Sequence, residues 1–300
     1  MPIGLEDRFE GVVDLLKMKA IYYEGDNGEN VVEKPIPEAY AEEAKERRYQ
    51  LVEALADFDD AIAEKFLEGK DVTSEEMIPV IRKSTIALHI MPVIVGTAKK
   101  NKGIQTLLDA VGDFLPSPTD IHNEALDIDN NEQPVVLKSD DNKPLVALAF
   151  KLEDGKFGQL TYIRIYQGKL AKGDNIINIK NGKKIKVPRL VKMHANQMHD
   201  IECAGSGDIV AIFGLECSSG DTFTDGNVNY SMNSMFVPEP VMELSISVKE
   251  RTKQVNFSKA LNRFMKEDPT FQVKRDEDSG ETIIRGMGEL HLEIYIERIL

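Results

Sequence analysis

The sequence contains few of the residues that form crosslinks, metal centres or membrane spans. It has two cysteines, Cys203 and Cys217, and five histidines in 300 residues. No cysteine lies at zinc-binding spacing from a histidine, which argues against a metal site. No secretory signal is recognisable, and no apolar run approaches the ~18 residues that cross a bilayer. These absences predict a soluble protein of a reducing compartment.

The sequence also lacks the motifs of a self-sufficient enzyme. The phosphate-binding pattern GxxxxGK followed by Ser or Thr does not occur, and neither does GxGxxG. No serine lies in GxSxG, and neither cysteine has a recognisable base as its partner. Because phosphoryl transfer needs a phosphate cradle, a magnesium ligand and a positioned water, we expect no catalytic residues and no bound cofactor in this polypeptide.

The net charge of -14 is unevenly distributed. Residues 1–90 carry a net charge of -10, whereas residues 144–238 carry +2. Within the second range lies a segment that we call the basic ribbon, in which eight cations oppose Asp174 alone. Its cations are Lys169, Lys172, Lys180, Lys183, Lys184, Lys186, Arg189 and Lys192. Such a segment can follow nucleic-acid phosphates, although lysines on edge strands also prevent aggregation.

The first third of the chain predicts an α+β arrangement. Residues 1–34 alternate short β-rich runs with turn residues, which is typical of a small meander. Residues 38–88 predict three helices, the last with a capping box formed by Thr73 and Glu76. Their acidic outer face is either a solvated helical surface or a docking surface for a basic partner.

A half βαβ unit follows. Residues 91–95 form an apolar run typical of a buried parallel strand, and the apolar spacing from Ile104 to Leu115 predicts an amphipathic helix. One parallel strand and one helix cannot form a sheet with two buried faces, so this unit needs strands that lie elsewhere.

The rest of the chain changes pattern twice. Residues 119–143 are polar, acidic and without periodicity, so we interpret them as a linker. Short strands separated by glycine-rich turns fill residues 144–238, including a hairpin at Asn181-Gly182, and predict a closed antiparallel β-barrel. Residues 239–300 have the order strand, helix, strand, strand, helix, which indicates a ferredoxin-like split βαβ fold without its last strand.

Several motifs resemble translation elongation factor G. The insert of its GTPase domain is similar to IGLEDRFEGVVDLLKMKAIYY at residues 3–23, and its last guanine-contacting loop is similar to GTAKKNKG at residues 96–103. Its second domain resembles GQLTYIRIYQGKLAKGD at residues 158–174. Its third domain resembles RFMKEDPTF and IIRGMGELHLEI, at residues 263–271 and 283–294. The resemblance covers nearly the whole chain and is strongest to mitochondrial and spirochaete-like members.

This resemblance implies a multidomain α/β plus all-β fold. Residues 1–90 are then the α+β insert of a P-loop GTPase domain, and residues 91–118 are the C-terminal strand, loop and helix of that domain. Residues 119–143 are the linker, residues 144–238 an antiparallel β-barrel of the translation-protein type, and residues 239–300 an incomplete ferredoxin-like domain.

The resemblance also implies the roles of individual residues. Gly96, Thr97, Ala98 and Lys99 would contact the guanine of GTP or GDP, whose Mg²⁺ the full-length parent would bind. Small-subunit ribosomal RNA would contact the ribbon residues Lys169, Lys172, Lys183, Lys184, Lys186, Arg189 and Lys192. An interdomain surface that transmits nucleotide state would be formed by Glu289, Leu290 and His291. Without the resemblance, we would interpret His291 as a side chain on the exposed surface of a helix.

The implied function is that of an internal fragment of the GTP-hydrolysing factor that drives tRNA and mRNA translocation. We expect a monomer that contacts small-subunit RNA and protein and the large-subunit stalk protein, without membrane or DNA partners. The expected compartment is the bacterial cytoplasm or the mitochondrial matrix. Two alternatives stay open: a paralogue specialised in ribosome recycling, and a non-catalytic ribosome-binding protein that lacks the GTPase core.

Overall fold

The computed structural model describes residues 1–155, 158–195, 197–232, 237–277 and 279–299. The chain divides into two compact units, Met1–Ser117 and Pro118–Leu300. No helix in the described ranges has the length and apolar character needed to span a bilayer.

The first unit combines an antiparallel sheet with four α-helices among its residues. The strands, in sheet order, are β1 (Pro2–Ile3), β2 (Gly11–Asp14), β3 (Lys19–Glu24) and β4 (Asn30–Lys34). The helices are α1 (Glu38–Ala56), α2 (Asp60–Leu67), α3 (Ser74–Ile86) and α4 (Ile104–Phe114). The predicted meander and the predicted helices are therefore present.

Polar side chains fix the helix ends and attach the helices to the sheet. The Thr73 N–H donates to the Glu76 carboxylate at 3.0 Å, so α3 begins with the predicted capping box. Arg48 of α1 donates to the carbonyls of Leu15, Leu16 and Val72. One guanidinium thus joins the β2–β3 turn to the segment before α3.

Residues 91–95 do not form the predicted buried strand. They belong to none of the strands in the described ranges, and Met91 and Val93 expose 90% and 87% of their surface. A parallel strand is held by parallel neighbours and covered by helices on both faces, whereas the sheet described in this unit is antiparallel. The following helix is confirmed as α4, which ends before Pro116.

The second unit begins with a structured hairpin where a linker was predicted. Its strands β5 (Asn123–Asp127) and β6 (Gln133–Leu137) pair with each other, and β5 also pairs with a strand about a hundred residues later. Ala125 and Leu137 are buried against Val146. The linker prediction was wrong because the strand that completes this sheet is distant in sequence and gives no local signal.

The barrel segment consists of short strands, as predicted. They are β7 (Val146–Gly155), β8 (Gly158–Gln167), β9 (Leu170–Ala171), β10 (Asn175–Asn178), β11 (Lys184–Lys186), β12 (Leu190–His194), β13 (Gln197–Asp200), β14 (Cys203–Ala204), β15 (Ile209–Phe213), β16 (Thr222–Thr224) and β17 (Tyr230–Met232).

Most of these strands form one antiparallel sheet. Its order is β11-β10-β16-β7-β8-β15-β12-β13, with β14-β9 as a separate pair and β17-β5-β6 as a third sheet. The side chains of β9 and β14 pack into the core of the large sheet. The described strands therefore form an open eight-stranded sheet that shares one apolar core with β9 and β14, rather than the continuous ring of hydrogen bonds of a closed barrel. The predicted hairpin at Asn181-Gly182 joins β10 to β11.

The remainder forms the predicted ferredoxin-like arrangement. It consists of β18 (Met242–Ile246), α5 (Gln254–Glu267), β19 (Gln272–Arg275), β20 (Thr282–Gly286) and α6 (Glu289–Ile299), with sheet order β18-β20-β19. Phe264, Phe271, Ile284 and Leu292 fill its core. The predicted turn at 276–280 and the predicted helix end include residues 278 and 300, which lie outside the described residues.

Candidate functional site

The 96–103 loop, which precedes α4, closes on itself. Thr97 N–H donates to the Lys102 carbonyl at 2.8 Å, and Lys102 N–H donates back to the Thr97 carbonyl at 3.1 Å. A Cβ on Gly96 would lie 2.7 Å from the Lys102 carbonyl oxygen, and Gly103 has φ +87°. Both glycines are therefore required by the close approach of the two ends of the loop.

The turn between β3 and β4 holds this loop in place. The Asn101 amide donates to the Asn27 carbonyl at 3.0 Å, and the Gln105 amide donates to the Gly28 carbonyl at 3.0 Å. The meander at the start of the chain thus sets the position of a loop more than seventy residues later.

The exposed part of the loop offers unused backbone donors. Ala98 and Lys99 are exposed, and no hydrogen bond from their N–H groups is recorded within the described residues. Thr97 N–H, in contrast, is occupied by Lys102. Of the residues predicted to contact guanine, Ala98 and Lys99 therefore have the donors that can meet a base carbonyl. Two such donors are compatible with the carbonyl of a nucleotide base but do not by themselves select guanine, and the sequence has no phosphate-binding loop that would bind the rest of a nucleotide.

The basic ribbon runs from β9 to β12 on the barrel, and the fold brings carboxylates to it that the sequence count did not include. The ion pairs are Lys169–Asp141, Lys172–Glu202, Lys180–Asp221, Lys183–Glu216, Arg189–Asp200 and Lys192–Asp208. Apart from Asp221, all of these acidic residues have exposed side chains. Exposed pairs of this kind contribute little stability and exchange readily with other ions.

The ribbon cations differ in how firmly they are held. Arg189 donates two hydrogen bonds to Asp200, at 2.6 and 3.0 Å, and these bonds lower the pKa of that carboxyl. Lys184 and Lys186 are exposed on β11 and have no acidic partner in the part of the chain that the structure describes. The two β11 lysines are therefore the ribbon cations most available to an external anion.

The third predicted site lies at the start of α6, and its residues differ in environment. Glu289 is exposed, and Leu290 exposes 70% of its surface. His291 instead contacts Asp268 through Nε2 at 2.9 Å and accepts the Met287 N–H at Nδ1, so the hydrogen on Nε2 points to the carboxylate. His291 is thus a partly buried residue that is hydrogen-bonded within the domain, and its interpretation as an unpartnered residue on a helix surface was wrong.

Asp268 is the centre of this cluster, which sequence reasoning missed. Its carboxylate also accepts hydrogen bonds from Thr270 and from the Tyr295 hydroxyl. Burial opposes ionisation of Asp268, but these hydrogen bonds outweigh burial and lower its pKa. Burial and the neighbouring carboxylate raise the pKa of Tyr295. The signal in the sequence was the Asp-Pro-Thr turn, where a short polar side chain bonds its own backbone two residues on.

The glycine before α6 explains why His291 reaches inward. A Cβ on Gly286 would lie 2.6 Å from His291 Nδ1 and 2.6 Å from Leu292 Cδ2. Only glycine leaves room for the imidazole at this position.

The cysteines and potential metal ligands among the described residues form no further site. Cys203 and Cys217 are free thiols, and burial raises the pKa of Cys217 to about 11, which keeps it protonated. No cluster of three or more His, Cys, Asp or Glu side chains suitable for a metal occurs in the ranges given above.

Two protein families match parts of this chain. Elongation factor G domain III matches residues 237–300, and elongation factor Tu domain 2 matches residues 158–224. The chain is also 58% identical over 299 residues to elongation factor G 1 of Borreliella afzelii. It belongs to the elongation factor G family. The match covers 100% of this chain and 43% of that relative.

Other members of the elongation factor G family match equally completely. The mitochondrial elongation factor G-1 of Arabidopsis thaliana is 56% identical, and elongation factor G 1 of Treponema pallidum is 54% identical, each over all of this chain. The chain spans 40% and 43% of their lengths. The expected similarity to spirochaete and mitochondrial members is confirmed.

A solved structure supports the fold. A crystal structure of a protein from Thermus thermophilus has a TM-score of 0.78 and 25% sequence identity to the chain. The alignment covers 100% of this chain and 42% of the other. Together with the two family matches, this similarity confirms the multidomain fold with a translation-factor barrel and a third domain.

Proposed function

We propose that the chain acts as part of a GTP-hydrolysing elongation factor that moves tRNA and mRNA through the ribosome. The observation that carries this proposal is the 54–58% identity to elongation factor G proteins along the whole chain, through both compact units. The bacterial and mitochondrial relatives support the bacterial cytoplasm or the mitochondrial matrix as its compartment.

In this proposal the 96–103 loop contacts the guanine base. The free N–H of Ala98 donates to the guanine carbonyl, and Lys99 lies beside the ring. Gly96 and Thr97 keep the loop closed and hold the donor outward. Residues that bind phosphate and Mg²⁺ are absent from this sequence, so the chain alone does not hydrolyse GTP.

The ribosome contacts divide between the two units. The basic ribbon binds small-subunit RNA, with Lys184 and Lys186 as its first contacts, because a phosphate there displaces no carboxylate. The acidic helices α1 to α3 bind the large-subunit stalk protein. Exposed Glu289 and Leu290 contact the neighbouring domain, while the buried contacts of His291 hold the start of α6 in position.

Co-sedimentation of the chain with ribosomes tests the ribbon. We expect Lys184→Glu combined with Lys186→Glu to reduce the bound fraction at least fivefold, since two phosphate contacts become repulsive. The matched control is Lys249→Glu combined with Lys274→Glu, which changes the charge equally on exposed residues outside the ribbon. Equal binding by the ribbon variant and the unmodified chain refutes the assignment.

Titration with a fluorescent GDP analogue tests the loop. We expect no binding by this chain alone and, in the full-length factor, at least tenfold weaker binding after Ala98→Pro. Proline is tolerated at the first position of a helical turn and removes only the N–H. Ala98→Ser retains that donor and serves as the control. Unchanged affinity of Ala98→Pro rules out this donor.

A further inference from the structure

A cavity of about 450 Å³ lies where α5 packs against the barrel. We call it the barrel–α5 cleft. Its polar lining consists of Gln159, Asn256, Lys259, Asn262, Arg263 and Lys266. The lining thus contains three cations and three side-chain amides. The Gln159 amide already donates to Thr161 and to the Leu215 carbonyl, so Asn256 and Asn262 are the amides that can donate to an anion.

The helical spacing places the cations along one side of the cleft. Lys259, Arg263 and Lys266 lie at positions i, i+4 and i+7 of α5, which share a face. The end of α5 is attached to the barrel, because Ser219 N–H donates to the Lys266 carbonyl at 3.0 Å. Gln159 of β8 supplies the opposite wall. The donors are therefore carried by regular elements rather than by loops.

The cleft carries an excess of positive charge. Glu267 is 9% exposed and contacts both Arg263, at 3.5 Å, and Arg298, at 2.7 Å. Both arginines therefore have an acidic partner, and the excess charge comes from the two lysines. Lys259 and Lys266 are exposed, and no ion pair to either is recorded within the described ranges.

The cleft continues the basic ribbon. Glu216 pairs with Lys183 of the ribbon at 2.7 Å, and its pKa is lowered by Lys183 and then by Lys266. Glu216 is three residues before Ser219, whose N–H donates to the Lys266 carbonyl, so the segment that pairs with the ribbon also contacts the cleft helix. An anionic chain that crosses this segment can meet cations of both the ribbon and the cleft.

We propose that the barrel–α5 cleft binds the phosphate groups of an RNA strand that also crosses the basic ribbon. This inference rests on the proposed function, because it takes RNA as the partner. It adds a second phosphate-binding surface, formed by residues outside the basic ribbon. Lys259 and Lys266 bind phosphate oxygens, and the amides of Asn256 and Asn262 donate hydrogen bonds. An acidic peptide fits less well, because Ala260 is the one apolar side chain in the lining of described residues and peptide contacts need apolar pockets.

Fluorescence anisotropy with a short labelled RNA stem-loop tests the cleft. We expect Lys259→Gln combined with Lys266→Gln to weaken binding roughly tenfold and to reduce the slope of log K against log salt by about 1.4 to 1.8, for two lost phosphate contacts. Lys249→Gln combined with Lys274→Gln is the matched control and should change the affinity less than about twofold. Both pairs are exposed, so circular dichroism should show unchanged folding.

Three outcomes overturn the inference. The first is absence of RNA binding by the unmodified chain, and the second is equal weakening by the cleft variant and the control. The third is protection of Lys259 and Lys266 from acetylation by polyglutamate but not by RNA, which identifies the cleft as a site for acidic peptides.

The ribbon variant Lys184→Gln combined with Lys186→Gln separates this inference from the proposed function. Weaker RNA binding by the ribbon variant, with normal binding by the cleft variant, contradicts the cleft alone. Normal binding by both variants contradicts the cleft and the ribbon assignment together.

Discussion

Replacement of Asp268 by asparagine removes the charge at the centre of the third domain. The carboxylate accepts four hydrogen bonds: two from Thr270, at 2.8 and 2.6 Å, and one each from His291 and Tyr295, both at 2.9 Å. An asparagine has the same shape, but its amide nitrogen must occupy one of the two oxygen positions. In one it faces the Thr270 N–H, and in the other it faces the hydrogen on His291 Nε2.

Asparagine therefore opposes one N–H donor in either orientation, and the neighbouring hydroxyl of Thr270 or Tyr295 must turn from donor to acceptor. Hydrogen bonds to a charged group contribute about 1.5–3 kcal/mol each, so we expect Asp268→Asn to reduce the free energy of unfolding of this domain by about 2–3 kcal/mol. The Asp268 side chain is 23% exposed, so solvent screening reduces this figure only slightly.

The effect of Asp268→Asn should depend on pH in a defined direction. The pKa of Asp268 is lowered in the folded state, so its contribution is complete above the ordinary aspartate pKa of ~3.9. That contribution is lost as pH falls through the folded-state pKa. The stability difference between the unmodified chain and the variant should therefore be largest near neutral pH and decrease below about pH 4.

Native-state hydrogen exchange is the suitable assay, because the sequence has no tryptophan and its units need not unfold together. The amides of Ile283 and Ile284 in β20 report opening of this domain. Glu293→Gln, an exposed change on α6, is the control. Exchange rates that are equal in Asp268→Asn and Glu293→Gln, or a difference that does not change with pH, would refute this account of the cluster.

Three further substitutions test other contacts. Gly286→Ala should cost about 1–3 kcal/mol by displacing the His291 ring, seen as faster exchange in β20 but not in the barrel. Arg48→Met should cost about 2–3 kcal/mol, because three carbonyls lose a charged donor, and should speed exchange in β2 and β3. Tyr23→Phe should cost about 1 kcal/mol, since Thr106 loses a partner at 2.9 Å, and should affect exchange at the start of α4. Unchanged exchange in the named element contradicts each prediction.

Local patterns account for the parts of the fold that the sequence predicted well. The third domain is an example: its helices have apolar residues at helical spacing, such as Phe257, Leu261 and Phe264, and its strands are bounded by turn residues. The barrel hairpin was predictable from the Asn181-Gly182 pair, because tight turns often need a positive φ that glycine adopts easily. Gly182 has such a value, +67°. Such signals lie within a few residues of the structure they specify.

The features that escaped prediction depend on distant partners. The acidic partners of the basic ribbon, such as Asp141 and Glu216, lie outside its sequence range and reach it only through the fold. The inward position of His291 depends on Asp268, which is 23 residues away. Charge counting along the chain detects neither. Residues 91–95 were wrongly predicted to be a buried strand. Their apolar pattern indicates burial, but it does not specify a neighbouring strand with which they could pair.

The pairing of β5 with β17 has a consequence for the order in which the second unit folds. Asn229 donates to Asp129 across a separation of 100 residues, so this contact closes almost the entire barrel segment into one loop. Loop closure entropy rises with the logarithm of loop length, and contacts between residues far apart in sequence form slowly. During synthesis, the first hairpin of the unit must wait for its third strand until the whole barrel has left the ribosome. The free edge of β5 stays unpaired during that interval. When β17 arrives, it completes the sheet and its side chains cover Val146.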